Sequence, residues 1–221
     1  LVNLPETVAA IAEEHADGEI ARIYAEIRET LGIVNLIWRH LATIDGALHW
    51  AWSALAPAYA SGAVPAHAHD LRTSAHLLLQ PVEPVPEEAL RALGLSGDAC
   101  EAIAAIVDSY DRGNAANLIA TTALLQRATS MPGEAEAAGS TMPIPVARKP
   151  SGQALFPILA LTDLDESTAA LVGRLNGLCS KHEQPILPSI CRHLAHWPAF
   201  LALAWTQHSP LAAGNRLEES A

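Results

Sequence analysis

The chain has 221 residues, half of them hydrophobic and only 17% charged, with a formal net charge of −11 at pH 7. That length supplies one substantial domain or two small ones, and so acidic a balance repels polyanions, which excludes nucleic acid as the expected partner. No apolar run reaches the roughly 18–20 residues that span a bilayer, so no membrane contact is expected.

In chain order, Leu1–Pro5 shows neither the basic nor the apolar part of a signal peptide. Ile20, Ile23, Tyr24, Ile27 and Leu31 then recur at helical spacing, while Glu19, Arg22, Glu26 and Glu29 take other faces. Gly32 reads as the stop. Further helical stretches cover about 36–60, 64–80, 86–94, 97–110 and 114–128, and no run with period two reads as a strand. From Met131 to Gly152 the chain carries four prolines and three glycines and reads as a linker. Asp165-Glu166-Ser167 marks a helix start, with helices expected near 167–180, 188–197 and 198–208. The expected division is a first helical module over 1–130, a linker over 131–152 and a shorter second module over 153–221. Cys100, Cys179 and Cys191 form no CxxC and leave an odd count, which fits reduced thiols and a cytoplasmic location.

Residues 33–52 read IVNLIWRHLATIDGALHWAW and residues 186–205 read ILPSICRHLAHWPAFLALAW. At a constant offset of 153, nine of the twenty positions are identical, among them Arg39/Arg192, His40/His193, Leu41/Leu194 and Trp52/Trp205. The expected fold is therefore all-α: two helical repeats related by a pseudo-twofold rotation, the second truncated. Truncation should leave Ile190, Leu194, Leu201 and Trp205 short of cover. Burying such faces at about 25 cal/mol per Å² favours a homodimer.

A guanidinium offers a carboxylate two parallel donors. Arg39 and Arg192, with His40 and His193 beside them, therefore either line one anion-binding cavity or each make a structural hydrogen bond within their own module. Asn114 is expected as a helix N-cap. Asn117, one turn on, has an amide available to a carboxylate or a water. Trp38 fits either the core or the wall of an apolar pocket. A metal is not expected. His67 and His69 lie about 200° apart on a helix, and His193 with His196 lacks a third ligand of suitable spacing. The GxSxG, GxGxxG and phosphate-loop patterns are absent.

The stretch from Gly18 to Ala60, with IYAEIRETLGIVNLIWRHLATIDGALHWAW at its heart, resembles the first repeat of the DehI-type (group I) 2-haloacid dehalogenase family. YDRGNAANLIATTALL at 110–125 resembles that family's next landmark, and RHLA at 192–195 its second repeat. The resemblance implies an all-α pseudo-dimer that removes halide from small 2-halocarboxylic acids without a cofactor or a covalent ester. A carboxylate activates the water that displaces the halide. Ser189 matches the serine that precedes the family's aspartate, but Ile190 follows it here, and the nearest carboxylate is Glu183. The expected catalytic residues are thus Glu183, Ser189 and Asn117, and the expected substrate-binding residues Arg39, Arg192, Trp38, Asn114, His40 and His193. Two other readings stand beside this one: a relative that binds a small carboxylic acid without turning over haloacids, and a helical assembly protein.

Overall fold

The computed structural model describes residues 8–78, 84–129, 155–179 and 187–213, and every regular element among them is a helix. The linker 131–152 and Glu183 lie outside the described residues. Packing divides the chain otherwise than in linear order. One compact unit joins Ala9–His76 to Asp111–Gly152; the other joins Leu1–Val8, Leu77–Tyr110 and Gln153–Ala221.

In the first unit a 3-10 turn, Glu13–His15, leads into α1, Gly18–Leu31, whose predicted face buries Ile23, Tyr24 and Ile27. Gly32 ends it at φ +79°, where a β-carbon would be disfavoured, and its N–H bonds to the Arg28 carbonyl at 2.8 Å. The stretch expected as one helix over 36–60 is two: α2, Leu36–Leu41, and α3, Ala47–Ala60. Local turn chemistry overrides apolar periodicity there. The Thr43 hydroxyl donates to the His40 carbonyl at 2.7 Å, and Gly46 of the Asp45-Gly46 pair adopts φ +70°. Helix α4 follows over Ala63–Leu78. Trp38, Trp52 and Tyr59 meet at ring-centroid distances of 5.4, 6.0 and 6.4 Å in the core, against which Ala120 and Leu124 also pack.

After α5, Glu87–Ala92, comes α6, Gly97–Thr129, a single helix where two were expected. Gly113 lies in its interior, where it costs only about 1 kcal/mol relative to alanine. A β-carbon there would meet Asn35 Nδ2 at an ordinary 3.9 Å. Asn114 is therefore an exposed mid-helix residue and not the N-cap expected of it. Asp111, one turn before Ala115, is held by Arg72 of α4, whose Nε donates to its carboxylate at 2.6 Å.

The second unit contains α7, Glu166–Cys179; α8, Ser189–His193, continued by a 3-10 turn over Leu194–His196; and α9, Pro198–Ala213. Asp165 caps α7. Its carboxylate accepts from Ser167 and Thr168, hydroxyls and backbone N–H groups alike, and these bonds hold its pKa well below the usual carboxylate range. The core gathers Ile103, Ile106, Val172, Leu187, Leu194 and Leu201. Leu194 and Leu201, expected to lack cover, are 7% and 1% exposed. Helix α7 and the first half of α6 supply what the truncated repeat was expected to miss. Ile190 and Trp205, the other two residues of those faces, are only half-buried.

Among the described residues, both units contain a three-residue 3-10 turn, a fourteen-residue helix, a short helix carrying Arg-His and a further helix of fourteen or sixteen residues, with an additional 3-10 turn, Leu194–His196, before the last helix of the second. The residues paired by the sequence offset, Leu36 and Ser189, each open the short helix after an extended residue, Asn35 or Pro188.

Candidate functional site

Both Arg-His pairs grip a non-helical segment of their own unit. Arg39 Nε donates to the Ile11 carbonyl at 3.3 Å, while the Ile11 N–H returns a 3.0 Å bond to the Arg39 carbonyl. Tyr24 Oη donates to the same Ile11 carbonyl, and His40 Nδ1 donates to the Ala9 carbonyl at 2.8 Å. In the second unit an Arg192 Nη1 donates to the Leu159 carbonyl at 3.2 Å, and His193 Nε2 donates to the Phe156 carbonyl. A carbonyl only accepts, so these contacts fix which ring nitrogen carries the proton. Of the two alternatives left open for the arginines, the structural bond is present in each unit. It takes one of five guanidinium donors, which leaves the remainder for a ligand.

Among the described residues, six buried polar side-chain atoms have no partner: Trp38 Nε1, Tyr59 Oη and Asn117 Oδ1 in the first unit, and Asn176 Oδ1, Arg192 Nε and His193 Nδ1 in the second. Each such atom costs about 1–3 kcal/mol, and buried indole and phenol groups usually find partners. Trp52 illustrates the usual outcome: its Nε1 donates to the Glu26 carboxylate at 2.9 Å. Trp38, its neighbour in the same core, has no such acceptor. Four of the six orphans belong to residues that the sequence singled out: Trp38, Asn117, Arg192 and His193.

Ser189 opens α8 and accepts from Tyr110 Oη at 3.0 Å. The Tyr110 ring stands edge-on to His193, 5.8 Å between centroids at 77°. Burial raises the Tyr110 pKa, opposed by the Ser189 bond and by the Arg192 charge. Sequence reasoning missed Tyr110, although it opens the YDRGN stretch that carries the resemblance. It also missed Tyr59, whose phenol is pushed up to about 12 by burial and so stays a neutral donor. Neither residue has a local sequence signal, because each owes its character to what folds over it. Asn114 faces outward, and Glu183 is outside the described residues. No three His, Cys, Asp or Glu side chains among the described residues lie close enough to hold a metal ion. No described helix is long and apolar enough to cross a membrane.

His193 is 4% exposed, and desolvation is the chief cause holding its pKa below the usual 6.5; His196 adds to the depression and the Phe156 bond opposes it. Protonation would place a hydrogen on the buried, unpartnered Nδ1. The unfolded chain therefore takes up this proton first as pH falls below about 6.5. Stability should decline with pH from there down to the depressed folded value, at up to about 1.4 kcal/mol per pH unit from this group. Urea unfolding at pH 7.5 and 5.5 measures the decline. His193→Gln, which keeps a donor for Phe156 but does not titrate, should flatten it.

No protein-family profile matches the chain. Over 202 residues it is 27% identical to a configuration-inverting 2-haloacid dehalogenase of Alcaligenes xylosoxydans xylosoxydans, a match covering 90% of this chain and 67% of that protein. Over 207 residues it is 25% identical to an (R)-2-haloacid dehalogenase of Pseudomonas putida, covering 92% of this chain and 68% of that protein. The chain is similar to 2-haloacid dehalogenases. It spans about two thirds of the length of these two dehalogenases, and at 90% or more of its own length the similarity takes in residues of both units.

Proposed function

We propose that the chain is a hydrolase of the DehI-like 2-haloacid dehalogenase type. It releases halide from a small 2-halocarboxylic acid by direct water attack, without a cofactor. The observation that carries this reading is the coincidence of unpartnered buried polar atoms with Trp38, Asn117, Arg192 and His193. Polar groups kept buried without partners mark places where a ligand or water completes the bonding. In the proposed reaction the water oxygen bonds to C2 as the carbon–halogen bond breaks, giving a 2-hydroxy acid of inverted configuration, halide and a proton. The base takes that proton. Arg39 and Arg192 each keep donors for a carboxylate beyond those spent on Ile11 and Leu159, and Asn117 and Ser189 each offer a polar group to a water. Trp38, buried in the core, offers the ligand its unpartnered indole N–H. His40 and His193, anchored to backbone carbonyls, position the arginines beside them. Glu183 is the assigned base.

Chloride release from racemic 2-chloropropionate, followed with chiral analysis of the lactate formed, tests the reading. Each enantiomer consumed should give lactate of the opposite configuration; absence of chloride release overturns it. Calorimetric titration of lactate should show Arg39→Ala and Arg192→Ala each weakening binding by about 1.5–3 kcal/mol, and Asn117→Ala by about 1 kcal/mol. Unchanged affinity in both arginine variants would reduce the arginines to their backbone contacts.

A second reading, a carboxylic-acid binder without haloacid turnover, is favoured by one feature. Ile190 stands after Ser189, where the resemblance places the water-activating aspartate. Lactate binding without chloride release is its signature.

A further inference from the structure

An open cavity of about 340 Å³ in the second unit is lined by Ser96, Asp98, Ala99, Phe156, His196 and Trp197. None of these residues belongs to the proposed dehalogenase machinery. The three rings form a corner: Phe156 and Trp197 have centroids 5.1 Å apart at 73°, Phe156 and His196 5.3 Å at 56°, and His196 and Trp197 5.6 Å at 59°. Phe156 is 48% exposed, so part of its ring is open to a ligand.

Beside the indole N–H of Trp197 and the hydroxyl of Ser96, the cavity lining carries acceptors. His196 Nε2 spends its hydrogen on the Pro157 carbonyl at 2.8 Å, which leaves Nδ1 of the neutral ring with a lone pair. Asp98 contributes a carboxylate. The start of α6 could in principle attract an anion, but Ser96 Oγ already accepts from the Ala99 N–H at 3.2 Å, and Asp98 places a negative charge in that first turn. Ring faces carry negative electrostatic potential, and a cation over them gains from it. The net charge of −11 further enriches cations around the chain.

We propose that this cavity binds a small organic cation, an alkylammonium seated against the Phe156–His196–Trp197 corner with its charge facing Asp98. The site is independent of the proposed dehalogenase reaction, and its test requires no turnover. Calorimetry on the full chain would compare choline with 3,3-dimethylbutan-1-ol, which has the same shape but carbon in place of the charged nitrogen. Choline should bind with a dissociation constant on the order of 1 mM, and the neutral isostere roughly tenfold more weakly. Asp98→Asn should weaken choline about tenfold. Phe156→Ala should weaken it roughly threefold, and Phe156→Tyr should restore it. Equal binding of the two probes by the unmodified chain, or no choline binding at all, overturns the proposal whether or not any variant folds. Choline affinity unchanged in Asp98→Asn overturns the role given to the carboxylate and, with it, the assignment of a cation.

Discussion

Replacing Trp38 with alanine should lower the free energy of unfolding by about 3–5 kcal/mol, the usual cost of removing a large aromatic side chain from a packed core. Trp38 is 2% exposed and contacts the rings of both Trp52 and Tyr59. Its indole N–H, however, is itself a liability, since it is buried without an acceptor. Trp38→Phe keeps most of the packing and deletes the orphan donor, so the two effects oppose each other and the net cost should stay below about 1.5 kcal/mol. Urea unfolding monitored by circular dichroism, with unchanged denaturant dependence, separates the variants. A Phe variant that is stable yet fails to bind a carboxylate would assign the N–H to the ligand. A Phe variant as unstable as the Ala variant would mean that the N–H has a partner in the folded chain.

The second large effect concerns the base. Glu183→Gln removes proton acceptance while preserving size, and halide release should fall by about 10²–10⁴-fold, the usual contribution of general base catalysis. Rates surviving the substitution would remove Glu183 from the mechanism. The next candidate is then His193, whose Nδ1 carries a lone pair because Nε2 is committed to Phe156.

Much of the helical content was legible in the sequence, because a face such as Ile20–Leu31 must be buried along one stripe and only one period does so. What was not legible follows from competition between signals of similar size. Thr43 and the Asp45-Gly46 pair end α2 against a continuing apolar pattern. At Gly113 the reverse occurs, and a residue read as a break is carried through by a long helix. The Arg-His pairs were recognisable as special from their recurrence alone. Their partners were not, because Ile11 lies 28 residues from Arg39 and Leu159 lies 33 from Arg192. No local pattern marks a carbonyl that a distant guanidinium will choose. The same holds for Tyr110 and Ser189, joined across 79 residues.

That last separation has a consequence during synthesis. Ile103 and Ile106 of α6 are polymerised well before Val172, Leu194 and Leu201, the side chains that enclose them. Ribosomes add about 5–20 residues per second, so the 79 residues between Tyr110 and Ser189 take roughly 4–16 s to make. Throughout that interval the nascent chain carries the smaller part of a core whose remainder is still being made. Such a chain is a natural client for holding chaperones. Its yield on expression should rise with their supply and fall with any stall between α6 and α9.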